Sequence, residues 1–408
     1  MTRPIRIALV TAFPPGKQSL NEYGLHLAKG LMEREDVAEV VVIADKLPTD
    51  MPELNLGPKL RVERCWSFNS LATLPKLLKA IRSEKVDGGL WNIQMASFGD
   101  KEATAAIGLL GPMVARLAGT PSGVIAHNII EGVDLDQTIL RGQRLRQAIV
   151  KLGGRVITRA LLSASYMTVT LRSYQEGLSA KYPSAPVHLV PHGTFDTTTE
   201  DVVPFDQRPN RIVTMGKFGT YKRLETLLAA FDELRRSGQN SDLELIIGGS
   251  DHPNTPDYLA KIAENRSQDS GVTFIGYVAE DDIAQFFGTA RLSVFDYSAT
   301  TGSSGVLHQT ASYGAVPVFP RIGDFVDVCL HEGITGMNYA SGDAQDMAHA
   351  MQLALRSTND SQAIADANRE ASKGFPFSEV IDFHMQKLGA ASKRKRLFRG
   401  INLRREPA

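Results

Sequence analysis

The sequence predicts an α/β protein made of two doubly wound parallel-sheet domains. Short β-branched apolar runs alternate with stretches of helical periodicity along nearly the whole chain, and the alternation restarts near residue 210. A chain of 408 residues, 43% hydrophobic and 22% charged, also exceeds the size at which a single core keeps growing.

The strands expected in the first domain are "RIALVTAF", "EVVVIA", "GGLWNIQ", "GVIAHNI", "YMTVTL" and "VHLVPHG". Those of the second are "RIVTMG", "LELIIGG", "VTFIGY", "LSVFDY" and "AVPVFP". Continuous apolar runs suit strands covered by helices on both faces, the environment of a parallel sheet. Between the two sets lies "TFDTTTEDVVPFDQRPN", acidic, Thr-rich and broken by proline, which reads as a linker over 194–209. The domains are therefore expected at 1–193 and 210–375.

Bulk charge excludes one class of partner. Forty-five basic residues balance forty-five acidic ones, so no overall field favours nucleic acid. Cys65 and Cys329 stand far apart and form neither a disulfide framework nor a zinc motif, which fits a reducing compartment. The apolar run in "MTRPIRIALVTAFPP" is too short for a secretory leader, and no run approaches the length of a membrane span. A cytoplasmic location is the expectation.

In two-domain α/β proteins, ligands gather beyond the carboxyl ends of strands, so the chemistry is sought in strand-end loops. Within "GKFGTYKRLETLLAAF", Lys217 and Lys222 follow an apolar strand and precede an amphipathic helix. Gly216 and Gly219 remove Cβ atoms there, which opens the backbone to a ligand, and two ammonium groups suit a diphosphate. The plainer alternative is a pair of solvated loop lysines.

A second anion site is expected where Gly302, Ser303, Ser304 and Gly305 follow "LSVFDY" and open a helix running to about Tyr313. Free amides, hydroxyls and the positive end of the helix dipole would act together; ordinary N-capping by either serine is the alternative. His127, after the strand "GVIA", is expected to face the cleft rather than merely cap its strand. "DLD" at Asp134–Asp136 suggests a metal-bound nucleotide, but it leads into a basic helix and lacks further oxygen ligands nearby, so no metal is expected.

Residues 211–320 resemble the C-terminal lobe of the retaining GT-B glycosyltransferases of the group 1 (family four) type. "GKFGTYKRLETLLAAF" is similar to that family's Gly-Arg-x-x-x-x-Lys-Gly loop, and "YGAVPVF" to its Gly-x-Pro-Val segment. In the first domain, "AFPPGKQSLNEYGLHLAKGL", "GVIAHNI" and "VHLVPHG" stand, in order, where the family has its Pro-Pro-x-x-Gly-Gly loop, its strand ending in His and its Ile-Pro-His/Asn-Gly ending. "FPFSEVIDFHMQKLGA" resembles the terminal helix that crosses back, which assigns residues 376–408 to the first domain.

The resemblance implies a GT-B fold and transfer of a sugar, with retention and without a metal, from a nucleotide-diphosphate sugar to a glycan, lipid-linked or small-molecule acceptor. It implies that Lys217 and Lys222 neutralise the donor diphosphate and that His127 contacts the donor sugar. Gly16 and Ser19 take the first-domain loop, where the family's Gly-Gly is replaced by Gln18-Ser19. The family's paired glutamates fall on Gly302 and Thr310, neither of which is a carboxylate, and His308 lies between them on the same helix. Lysine at 217 keeps the charge of the family's arginine but not its bidentate fork.

Two basic segments, 141–159 and 393–405, interleave cations with apolar residues and could rest on the inner face of a membrane; solvated surface is the alternative. Two other readings of the chain stand beside transfer. A nucleotide-sugar epimerase would use the same phosphate groups but need carboxylates for proton transfer. A catalytically degenerate GT-B protein would act as a partner in glycan assembly.

Overall fold

The structure is a computed structural model that describes residues 3–47, 51–129, 144–195, 202–236, 241–299, 302–356 and 358–403. It divides into two compact units, Met1–Pro191 with Phe377–Ala408, and His192–Pro376.

The first unit contains β1 (Ile5–Val10), α1 (Asn21–Met32), β2 (Val37–Asp45), β3 (Leu60–Trp66), α2 (Thr73–Ser83), β4 (Gly88–Ile93), α3 (Glu102–Leu109) and α4 (Gly111–Leu117). It continues with β5 (Ser122–Ala126), α5 (Arg144–Leu162), β6 (Tyr166–Val169), α6 (Arg172–Lys181) and β7 (Val187–Leu189). The strands pair in parallel in the order β3-β2-β1-β4-β5-β6-β7. β4 and β5, two of the inner strands of this sheet, are buried at every position, which is why their sequences are mostly apolar.

Helix α1 lies close on the end of β1 because Gly24 lacks a side chain. A Cβ there would stand 2.7 Å from Thr11 Oγ1 and 2.9 Å from the Ala12 carbonyl. This glycine sets the height of the helix above the loop that precedes it.

The second unit contains β8 (Arg211–Phe218), α7 (Glu225–Arg236), β9 (Glu244–Asp251), α8 (Tyr258–Asn265), β10 (Val272–Gly276), α9 (Ile283–Gly288) and β11 (Leu292–Val294). It continues with α10 (Gly305–Ser312), β12 (Val316–Pro320), α11 (Gly323–Glu332), β13 (Met337–Tyr339), α12 (Ala344–Arg356) and α13 (Thr358–Lys373). Its parallel sheet has the order β10-β9-β8-β11-β12-β13. Leu227, Leu228, Phe231 and Leu234 of α7, spaced to share one helix face, pack with Ile212, Leu245 and Val294 of the sheet.

Two strands were not expected from the sequence, β3 and β13. Both are edge strands: β3 alternates polar and apolar residues in "LRVERCW", and β13 is only three residues long. Neither leaves the continuous apolar run by which the inner strands are recognised.

The stretch expected to be a linker is corrected where the structure describes it. Thr194 pairs with Pro376 and donates its N–H to the Phe375 carbonyl at 2.7 Å. Phe205 is buried in the core of the second unit. Arg208 is buried too and donates to the carbonyls of Val203 (2.8 Å), Ala290 (2.7 Å), Gly314 (2.7 Å) and Tyr313 (3.0 Å). One aromatic anchor and one multidentate arginine hold a segment whose composition predicts none.

The last helix, α14 (Phe377–Leu403), belongs to the first unit. Ile381 of α14 occupies the place where a side chain at Gly30 of α1 would be, 2.8 Å from a Cβ built there. The Tyr166 hydroxyl lies 3.0 Å from His384 Nδ1, which fastens the helix to β6. Among the described residues, no helix is long and apolar enough to cross a membrane.

Candidate functional site

Each sheet reverses its winding at one place. In the first unit this is between β1 and β4, and in the second between β8 and β11. Loops leaving the carboxyl ends of these strand pairs diverge, and that is where α/β sheets bind ligands.

In the second unit, the loops after β8 and β11 are joined. Lys222 and Tyr297 form an antiparallel bridge, Arg223 N–H donates to the Asp296 carbonyl (2.8 Å), and Ser298 N–H donates to the Tyr221 carbonyl (2.8 Å). The Asp296 carboxylate accepts the N–H groups of Thr226 (2.9 Å) and Leu227 (3.1 Å), which caps α7. The Lys222 ammonium lies 4.6 Å from the centre of the Tyr297 ring. Burial opposes its charge, but Tyr297 and Tyr221 outweigh burial and raise its pKa, so Lys222 remains an ammonium at neutral pH.

Two glycine expectations are corrected here. A Cβ at Gly216 would lie 3.1 Å from Lys222 Cδ, so the space it leaves is filled by that lysine. A Cβ at Gly219, where φ is +110°, would lie 2.2 Å from Thr255 Oγ1. Both glycines serve the packing of the loop, and ligand approach does not explain them.

Lys217 lies within β8, which runs two residues further than the expected strand "RIVTMG", and is in register with Ser250 of β9. It is close enough to His252 to help burial depress that imidazole's pKa. Lys217 thus neighbours the β9 flank of β8 and Lys222 the β11 flank.

The start of α10 gathers Gly302, Ser303, Ser304, Gly305 and His308. Gly302, with φ of +122°, donates its N–H to Asp324 Oδ2 at 3.2 Å. No side chain caps the helix: the Ser303 and Ser304 hydroxyls are buried with no hydrogen-bond partner. The capping alternative is therefore not what the structure adopts. Gly305 makes room for His192, whose Nε2 would stand 3.3 Å from a Cβ there.

His308 is buried. Its Nδ1 lies 3.1 Å from the Ser304 carbonyl, its Nε2 lies 3.0 Å from Glu332 Oε2, and its ring is 4.6 Å from that of His192. Burial, with His192 beside it, pushes the His308 pKa well down, and burial pushes Glu332 up to about 8. The pair is a neutral imidazole beside a protonated carboxyl.

Thr310 does not join this group. It is fully buried, with Oγ1 2.7 Å from the Val306 carbonyl and 2.9 Å from Ser293 Oγ, and it serves to seat α10 on β11.

In the first unit, His127 follows β5 and is largely buried, with 7% of its surface accessible. Its Nε2 lies 2.7 Å from Asn92 Oδ1, its N–H donates to the Ile93 carbonyl, and Tyr23 meets its ring edge-on at 4.5 Å. Asn92 in turn donates to Thr11 Oγ1 at 2.9 Å, so Thr11 after β1, Asn92 of β4 and His127 after β5 form one chain. The Gly16 carbonyl accepts from Asn21 Nδ2 (2.5 Å), and Ser19 is exposed on the same loop.

Sequence reasoning missed Asn92, Asp296, Tyr297 and Glu332. The first three carried a signal, a polar residue ending an apolar strand in "GGLWNIQ" and "LSVFDY". Glu332 carried none, since it reaches His308 from a different helix. Asp134, Asp136 and Arg141 lie outside the described residues. Of the basic segment 141–159, α5 exposes Lys151, Leu152, Arg155, Val156 and Arg159; beyond Lys393, side chains of 393–405 lie outside the described residues. Among the described residues, no group of three or more His, Cys, Asp or Glu side chains could hold a metal.

Residues 209–357 match the family described as Glycosyl transferases group 1. Comparison with curated proteins gave no match. Among solved structures, sucrose-phosphate synthase from Thermosynechococcus elongatus is 18% identical over 97% of this chain and 100% of its own, with a TM-score of 0.71. HepE from Anabaena, in complex with UDP-glucose, is 16% identical over 95% of this chain and 100% of its own, with a TM-score of 0.65. WaaG, a glycosyltransferase involved in lipopolysaccharide biosynthesis, is 14% identical over 94% of this chain and 98% of its own, with a TM-score of 0.64. The chain has the GT-B fold, and its residues 209–357 are similar to the group 1 glycosyl transferases.

Proposed function

We propose that this chain transfers a sugar from a nucleotide-diphosphate sugar to a hydroxyl of a glycan, lipid-linked or small-molecule acceptor, with retention of configuration. The observation that carries the reading is the uncapped start of α10, where two buried hydroxyls have no protein partner. Hydroxyls and amides at a helix N-terminus suit a phosphoryl group, which accepts hydrogen bonds and carries the charge that the helix dipole favours. HepE was solved with UDP-glucose, a donor of this class.

As the bond from the anomeric carbon to the phosphate oxygen breaks, negative charge grows on the diphosphate. Lys222, held as an ammonium beside Tyr297, and Lys217 meet that charge, and the α10 amides add to it. These groups are fixed before the reaction, so little reorganisation is needed as charge develops. His127 is assigned to the donor sugar, with Asn92 setting its ring. The reading needs no metal ion. The reaction is placed on the cytoplasmic side, where the exposed basic and apolar face of α5 can rest on an anionic membrane carrying the acceptor.

The test is calorimetric titration of UDP, GDP and ADP into the wild type and into the Ser303→Ala, Ser304→Ala double variant. One nucleotide should bind the wild type, and the variant should bind it about tenfold more weakly. Equal affinity in a folded variant would remove α10 from the donor site. Proton NMR of the glycosylated product reports whether the anomeric configuration is kept, and addition of EDTA should leave turnover unchanged.

A further inference from the structure

At the amino end of the first unit's sheet, away from the strand-end loops, lies a cavity of about 590 Å³. Pro121 and Pro186, which lead into β5 and β7, form part of its wall together with the Tyr166 ring. Arg116 from α4, His188 from β7 and Lys387 from α14 bring three basic side chains to it, and among the described residues no carboxylate lines it.

These basic groups come from three elements distant in sequence. Arg116 is placed by a hydrogen bond from Nη1 to the Ser163 carbonyl at 2.5 Å, which leaves the rest of its guanidinium available. Phe383 stands between the other two, with Lys387 Nζ 5.3 Å from its ring centre and the His188 ring 5.4 Å away. Burial, and then the charge of Lys387, depress the His188 pKa. An anion between Arg116 and Lys387 would balance their charges and favour the protonated form of His188.

We infer that this cavity binds a phosphate ester, with the phosphoryl group among Arg116, His188 and Lys387 and an uncharged body against the proline and tyrosine wall. The volume lies within the range of small-molecule sites and exceeds what a phosphate ion alone would fill. The apolar wall calls for an attached group, and the guanidinium for planar, paired recognition of oxygens. The site is separate from the donor site proposed above and does not depend on it. Its phosphoryl group can belong to a soluble ester or to a phospholipid headgroup.

The experiment follows His188 by NMR in the full chain labelled at histidine, with the His188→Ala variant assigning the signal. Glycerol 3-phosphate, added at low ionic strength, should raise the His188 pKa by about one unit. The Arg116→Gln, Lys387→Gln double variant should abolish that rise, and Lys222→Ala should leave it intact. A His188 signal that ignores the ester, or a response unchanged in the double variant, overturns the proposal. Cosedimentation with phosphatidylglycerol vesicles, against phosphatidylcholine vesicles, decides the source. Binding lost in the double variant assigns the site to a lipid headgroup, and a soluble ester is assigned when only glycerol 3-phosphate acts.

Discussion

His308 Nε2 lies 3.0 Å from Glu332 Oε2 in the interior of the second unit, with both side chains 3% exposed. His308 Nδ1 is turned to the Ser304 carbonyl, and burial keeps the imidazole neutral and the Glu332 carboxyl protonated beside it. The α10 residue His308 thus sits in a pair without net charge.

This couple predicts the pH dependence of stability. Burial raises the Glu332 pKa from its ordinary 4.5 to about 8, so the folded state holds a proton that the unfolded state releases. Its contribution is fully present below about pH 4.5 and is lost as pH rises through about 8. His308 has the opposite sign: its pKa is lowered, so its contribution is present above 6.5 and is lost as pH falls. Glu332→Gln should flatten the alkaline decline of the melting temperature and leave the acid side in place. Melting curves from pH 5 to 9 check this, and parallel profiles for both proteins would contradict it.

Lys222 is the cation most firmly set in the proposed donor site, packed into the space left by Gly216 and over the Tyr297 ring. Lys222→Ala should lower kcat by about two orders of magnitude or more, the scale of losing a charge-stabilising group at the transition state. Steady-state rates with the nucleotide sugar identified by calorimetry measure it. Wild-type turnover in the variant would remove Lys222 from the reaction.

Gly219 sets the course of the loop that delivers Lys222, through its N–H to the Lys222 carbonyl at 2.9 Å. Gly219→Ala forces a side chain onto Thr255 at a φ of +110°. A loss of about 1–3 kcal/mol is expected from overpacking and backbone strain. Urea denaturation measures that loss, and activity should fall with it because the lysine is displaced.

Arg208 predicts the status of the segment before β8. Burial, and then Arg369, push its pKa down to about 10, and four main-chain carbonyls depend on it. Arg208→Met should cost about 3 kcal/mol by leaving buried acceptors unpaired. A free linker would tolerate the change without a shift in the urea midpoint.

The inner strands and their helices were legible because burial on both faces demands apolar residues at every position, a demand visible in any window of the chain. Edge strands such as β3 escape it, since one flank needs no such cover. Lys222 and the Ser303-Ser304 pair were legible as polar residues in loops that follow apolar strands. Glu332 was not, because its significance lies in reaching His308 from another helix.

The sequence by itself determined the alternation of strands and helices and the loops in which the proposed phosphate-binding groups stand, because propensity, periodicity and turn chemistry act over neighbouring residues. Only the tertiary structure decided what those groups face. It put Lys222 in the space above Gly216, withdrew Thr310 into the seat of α10, and brought Glu332 to His308. Each outcome depends on contacts between elements far apart in the chain, whose burial and close packing fix partners that local sequence leaves open.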